Sequence, residues 1–214
     1  MKERHWLELV CPENGPHLQG WADRNKMIAD MEEAGIDRCA LLAWYWEKAE
    51  TCRLHNDWHA RWLEEDPNRF YAFAAVHPEM GDPVEELQRR HEQGFSGIGE
   101  CHPTAQGFSM RDPTWLACME FASEKGWPVN FHVTEPVGHD YPGRIPTPLE
   151  DFLWLARQFP ELKIILAHAG GLFPFYELNP RLKPELTNVH YDLAACPLLY
   201  ESSLYRLLIN TVGH

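Results

Sequence analysis

The stretch LKIILAHAGG, Leu162 to Gly171, decides how the rest of the chain is read. Ile164 to Ala167, with Leu162 before them, form an apolar run that leads straight into His168, and Gly170 and Gly171 follow almost at once. A short run that is apolar on both faces suits a strand covered on both sides. A titratable ring where that strand ends, and then glycines that let the backbone turn away without filling the space with side chains, point to a strand that opens into a pocket.

Working outward, the same unit recurs. KMIADMEEAG (26–35) has helical spacing and a glycine stop, and RCALLAW (38–44) follows as a buried strand. CRLHNDWHARWLEED (52–66) reads as a helix ended by Pro67, and FYAFAAV (70–76) as the next strand. DPVEELQRRHEQG (82–94) and DPTWLACMEFASEKG (112–126) are helices with an aspartate cap, a proline in the first turn and a glycine finish. The strands GFSGIGEC (94–101) and WPVNFHV (127–133) follow them. TPLEDFLWLARQF (147–159) is expected to be a helix starting at a threonine cap, TNVHYDLA (187–194) a weaker strand, and SSLYRLLINTVG (202–213) a last helix. Strands apolar on both faces, alternating with amphipathic helices, mean a parallel sheet under helices. An open doubly wound sheet would announce a glycine-rich phosphate turn after an early strand. The glycines of GFSGIGE lie within and before a strand, so the fold expected is a TIM (β/α)8 barrel, in one domain over residues 1–214.

The bulk composition fits and excludes. The chain is 44% hydrophobic and 24% charged, an ordinary globular balance. The net charge of −13 argues against a phosphate backbone as partner, so no nucleic acid is expected. No apolar run is long enough for a membrane span, and MKERHWLELV has no signal-peptide h-region. Six cysteines without a C-x-x-C read as thiols in a reducing cytoplasm.

The strand ends carry the chemistry. His77, Glu100 with His102 just beyond, His132, His168 and Asp192 each stand at or near the end of a strand. Glu100, His132, His168 and Asp192 are spaced by 32, 36 and 24 residues, each about one βα unit, so they converge on one rim. Histidine nitrogen and carboxylate oxygen suit a borderline divalent ion such as zinc. An open coordination position would polarise a substrate carbonyl, or acidify bound water from about 15.7 to about 7. His77 before Pro78 could simply end its strand, and Asp192 could equally cap a loop. His55 and His59 in HNDWH have the spacing of H-E-x-x-H, but Asn56 stands where that motif needs its general base, so a surface or packing role is expected. Cys101 and Cys196 lack a base in sequence context and are not expected to be nucleophiles.

At GIGECHPTAQGF, VNFHVTEP and KIILAHAGG the chain resembles the amidohydrolase superfamily, in the amidohydrolase-related branch that includes decarboxylases and lactone hydrolases. GIGE is also similar to TatD-like hydrolases. The resemblance implies a metal-dependent barrel in which His132 is a metal ligand. It implies that His168 is a second ligand or a catalytic acid/base, and that Glu100 binds metal or orients water. It also implies an H-x-H pair on the first strand and an aspartate on the eighth, neither of which the chain shows. The barrel is therefore expected to be incomplete, with strands two to seven present. Its exposed edges would favour pairing with another copy in a homo-oligomer.

The expected function is a metal-dependent hydrolase or decarboxylase of a small organic molecule, with zinc as first choice of metal and manganese as second. In EPVGHDYPGR (135–144), His139, Tyr141 and Arg144 are candidate substrate contacts, as is His102, and Arg144 would suit a carboxylate. The alternative reading is a noncatalytic remnant or interaction protein, and the third a TatD-like nuclease.

Overall fold

The structure is a computed structural model that describes residues 3–13 and 22–213. The single-domain expectation over 1–214 thus extends to residues outside the described ones.

Six strands form one sheet: β1 (Cys39–Leu41), β2 (Phe70–Ala74), β3 (Gly97–Cys101), β4 (Pro128–Phe131), β5 (Lys163–Leu166) and β6 (Val189–Tyr191). Every neighbouring pair is parallel and the spatial order is the chain order. A doubly wound sheet reverses its order at a switch point. This sheet never does, which is the ordering of a barrel wall and matches the six strands expected. Among the described residues β1 pairs only with β2 and β6 only with β5, so the wall is open.

Aspartate caps start three of the longer helices. α1 (Arg4–Val10), α2 (Arg24–Ala34) and α3 (Ala49–Glu65) precede α4 (Pro83–Glu92), whose Asp82 carboxylate accepts from the Glu85 amide. α5 (Pro103–Gln106) is a single turn, and α6 (Pro113–Glu124) is capped by Asp112 through the amides of Thr114 and Trp115. α7 (Leu149–Gln158), α8 (Cys196–Leu199) and α9 (Ser203–Val212) complete the set. Thr147 does not cap α7, as was expected of it. Its hydroxyl accepts from the Thr134 amide at 3.0 Å, and its own amide donates to the Thr134 carbonyl at 3.2 Å. It therefore pins together the two ends of the 134–147 loop. The 168–178 segment, read simply as a glycine exit, contains a left-handed turn described below.

The packing positions the strand ends. Phe131, the last residue of β4, is fully buried between Trp115 of α6 and Phe152 of α7, with ring centroids at 6.1 and 5.4 Å. Burying such a ring contributes about 1.5–3 kcal/mol, so β4 has little freedom to slide, and the next residue is His132. Ile98, Val129, Ile164 and Leu166 are equally buried on the neighbouring strands. No described helix is long and apolar enough to cross a membrane.

Candidate metal centre

Glu100 is the fourth residue of β3, and its approach depends on Gly99. Gly99 has φ +133°, and a Cβ there would stand 2.6 Å from the Asn130 carbonyl oxygen. Only glycine lets β3 and β4 come this close. His132 follows β4 and extends the ladder, its amide donating to the Cys101 carbonyl at 2.8 Å. His168 lies two residues past β5, where the chain turns sharply. His168, Ala169, Gly170, Gly171 and Leu172 have φ of 59°, 55°, 57°, 56° and 71°. At Gly170 a Cβ would stand 2.9 Å from the Tyr191 ring, so this glycine is needed for space as well as for its left-handed backbone.

These three residues meet. His132 Nδ1 is 3.2 Å from Glu100 Oε1, His168 Nε2 is 3.4 Å from the same oxygen, and the two ring nitrogens are 3.1 Å apart. All three side chains are 13–14% exposed. Burial opposes the charge on Glu100, but His132 and His168 outweigh it and hold the carboxyl at about 2. Burial likewise works against the His168 imidazolium, yet the hydrogen bond to Glu100 raises its pKa above the usual value. His168 Nδ1 donates to the Ala194 carbonyl at 2.7 Å, which leaves Nε2 facing the cluster.

The set fits a divalent ion. One ligand atom from each residue lies within 4.8 Å of the others, and no other such cluster occurs among the described residues. A buried carboxylate whose only hydrogen-bonding neighbours are imidazoles is a charge that a cation would neutralise. Two nitrogens and one oxygen are a donor set that zinc or manganese accepts, and they leave coordination positions for water or substrate.

The other predicted residues lie at varied distances from this centre. His102 stacks on His132 with centroids 5.4 Å apart, but both its nitrogens are engaged. Nδ1 accepts from the Ala105 amide at 3.4 Å, and Nε2 donates to the Ile145 carbonyl at 3.2 Å. Burial and the charge of His132 bring its pKa down to about 3. Arg144 donates from Nη2 to the Glu135 carbonyl at 2.8 Å, and its buried Nε has no partner. Tyr141 is half-buried; His139 is exposed, its ring 5.5 Å from that of Tyr141. His77 lies three residues past β2, where its Nδ1 accepts from the Glu79 amide and caps the turn at Pro78–Met80. His55 and His59 pack in the interior against Trp46 and the Phe73 carbonyl. Burial pushes the Cys101 and Cys196 thiols up, which suits inert residues.

Two further residues reach the mouth. Tyr45 is 1% exposed, its ring lies 4.8 Å from that of His132, and its hydroxyl is buried without a partner. His5 of α1 donates from Nε2 to the Gly143 carbonyl at 2.8 Å, tying α1 to the 134–147 loop. His5 stands on a helix rather than at a strand end, whereas Tyr45 directly follows the stretch RCALLAW and is missed because strand-end logic looks for histidine and carboxylate.

This parallel wall, with histidines and a carboxylate on its carboxyl rim, has known relatives. The family profile "Amidohydrolase" matches residues 21–214, and the chain belongs to that family. The chain is similar to a 2-amino-3-carboxymuconate-6-semialdehyde decarboxylase of Dictyostelium discoideum, 28% identical over 166 residues. That match covers 68% of this chain and 46% of the relative, so the chain spans about half of that protein's length. Its fold is that of 5-carboxyvanillate decarboxylase from Sphingomonas paucimobilis, with TM-score 0.64, 18% identity, and 87% of this chain against 68% of that one. It is also that of a dihydroxybenzoic acid decarboxylase from a Polaromonas species with bound manganese, with TM-score 0.61, 19% identity, and coverage of 90% and 73%.

Proposed function

We propose that the chain carries the metal-binding rim of an amidohydrolase-superfamily enzyme that decarboxylates a small carboxylated molecule. Hydrolysis of a C–N, ester or lactone bond is the alternative. The observation that carries the metal reading is the convergence of Glu100, His132 and His168 from three adjacent parallel strands. Decarboxylation is favoured because the Dictyostelium relative and the Sphingomonas and Polaromonas structural neighbours carry that activity in their names. Manganese, held by the Polaromonas neighbour, becomes the first metal to test ahead of zinc. A reducing cytoplasmic setting, suggested by the spaced thiols, belongs to the same proposal.

In this reading Glu100 Oε1, His132 Nδ1 and His168 Nε2 hold the ion. When bound, it supplies positive charge beside the substrate oxygen on which negative charge develops. Arg144, with a spare buried N–H and a fork geometry suited to carboxylate, orients the substrate. The 134–147 loop, closed at its stem by Thr134 and Thr147, carries Arg144, Tyr141 and His139, the candidate substrate contacts. His102 supports the His132 ring from behind. The bond between the carboxylate carbon and its neighbour breaks, the electron pair stays on the neighbouring carbon, a proton joins it there, and carbon dioxide leaves.

The test is metal content by mass spectrometry after manganese loading, beside a His132→Ala/His168→Ala double variant. About one equivalent in the parent chain, lost in the variant, supports the reading. No metal in either would overturn it and leave the noncatalytic alternative. With a turned-over carboxylate in hand, Arg144→Ala should raise KM more than it lowers kcat.

A further inference from the structure

Asp192 stands outside the donor cluster, yet most of what fixes His168 passes through it. It follows β6, and its amide donates to the Leu166 carbonyl at 3.1 Å, so its backbone runs beside β5. Its Oδ1 accepts two amides, from His168 at 3.1 Å and from Ala194 at 3.0 Å. Its Oδ2 accepts from Asn130 Nδ2 at 3.0 Å, and its carbonyl accepts the Ala169 amide at 2.8 Å. The Ala194 carbonyl, held by this turn, accepts from His168 Nδ1. The hydrogen bonds thus close a ring: the His168 backbone to the Asp192 carboxylate, to the Ala194 backbone, and back to the His168 imidazole.

The ring matters for two reasons. His168, Ala169 and Leu172 are non-glycine residues in the left-handed region, which costs about 1–2 kcal/mol each. Such a backbone persists only where its surroundings over-determine it, and Asp192 supplies two acceptors to it. A neutral imidazole also carries one N–H, and only the other nitrogen has a lone pair to offer. A carbonyl can only accept, so a neutral His168 that keeps its bond to the Ala194 oxygen carries its proton on Nδ1, and Nε2 is the nitrogen that faces Glu100 and His132.

We propose that Asp192 is a positioning residue that selects Nε2 of His168 for the donor cluster. It does so by fixing both the His168 backbone and the carbonyl that takes the Nδ1 proton. The consequence for metal affinity rests on the metal-binding reading above, whereas the choice of nitrogen stands on geometry alone.

The experiment uses ¹⁵N-histidine-labelled protein in mildly alkaline buffer, with His168 assigned from a His168→Gln sample. Long-range proton–nitrogen correlation then reports which ring nitrogen is protonated, and electron paramagnetic resonance reports manganese affinity. Three proteins are compared: wild type, Asp192→Ala and Asp192→Asn. Wild type should show Nδ1–H. Asp192→Ala should show mixed tautomers and bind manganese about 10–100-fold more weakly, the usual cost of losing a partner that orients a ligand. Asp192→Asn keeps an acceptor oxygen, and its amide can donate to Asn130 Oδ1, which is buried without a partner. It should therefore restore the single tautomer and most of the affinity, a rescue that general loss of structure would not give.

An Nε2–H tautomer in the wild type would overturn the proposal, and so would an unchanged tautomer and affinity in a folded Asp192→Ala. If that variant fails to fold, the wild-type tautomer and the Asp192→Asn spectrum still decide. If wild type binds no manganese, the metal reading fails, while the tautomer comparison continues to test Asp192.

Discussion

Two pairs of histidine rings in this molecule sit with nitrogens 3.1 Å apart, one on α3 and one at the rim, and they do opposite things. On α3 the chain of hydrogen bonds starts at an indole, which can only donate. Trp46 Nε1 donates to His55 Nδ1 at 2.7 Å, so the His55 proton sits on Nε2 and points at His59 Nε2. The His59 proton is then left on Nδ1, 3.4 Å from the Phe73 carbonyl. Every nitrogen is used and no lone pair is offered. Burial, the main cause, lowers His55 to about 3 and His59 to about 4. At the rim the chain ends on a carboxylate, and His168 is pushed the other way. Ring spacing alone does not make a metal site. What terminates the chain decides whether a pair of imidazoles is sealed neutral or left able to take a cation.

The largest expected effect breaks the rim side of this comparison. Glu100→Gln removes the negative charge and keeps the shape. Manganese affinity should fall by more than about a hundredfold, since losing an outer partner of a ligand alone costs about 10–100-fold. Manganese at about a hundred times its Kd should stabilise the wild type by about 2.7 kcal/mol, and that gain should vanish in the variant. His59→Gln, on the sealed pair, should leave manganese affinity at the wild-type value. Melting curves with and without manganese check both, and equal loss in the two variants would erase the distinction.

Acid comes next. His55 and His59 are neutral when folded and take protons at the ordinary histidine value of 6.5 when exposed. The unfolded state therefore binds more protons below that pH. The pair's contribution to stability is full above about pH 6.5 and should decline as pH falls, approaching about 1.4 kcal/mol per pH unit for each histidine. Urea unfolding of the wild type beside His59→Gln across this range reads the share of the slope due to the pair, since buried His5 and His102 add slope of the same sign, and equal slopes in the two proteins would show that the pair is not sealed.

The wall of the barrel was legible because its strands are apolar on both faces and two of its helices, α4 and α6, begin at Asp-Pro, signals that live within a few residues of chain. The rim cluster was legible for the same reason, each member being a strand-end residue one βα unit from the next. What escaped depends on distant contacts. His5 reaches the mouth through Gly143, 138 residues away, and Tyr45 lies beyond the end of β1 in an irregular stretch. α1 is seven residues long, too short for periodicity to announce it. The left-handed run at His168 could not be read from its glycines alone, since Ala169 and Leu172 share it. His102 stands where strand-end logic expects a pocket residue, yet it caps the one-turn α5 and so commits both nitrogens.

The smallest effect sharpens the sealed side. Trp46 is 4% exposed, and its indole N–H is the donor that sets the direction of the α3 relay. Trp46→Phe keeps an apolar ring but leaves His55 Nδ1 without a donor. An unsatisfied buried acceptor costs about 1–3 kcal/mol, so unfolding should shift by about that much at neutral pH. The backbone role of Trp46 survives, because its carbonyl still accepts from Gln106 Nε2. With the donor gone, nothing fixes which way the relay runs, and His55 and His59 should show mixed tautomers by nitrogen NMR while His168 keeps its own. Manganese affinity should stay at the wild-type value, because Glu100, His132 and His168 are untouched by the change. A loss of manganese affinity in this variant would mean that the two histidine pairs are coupled through the core, and the separation drawn between them would fail.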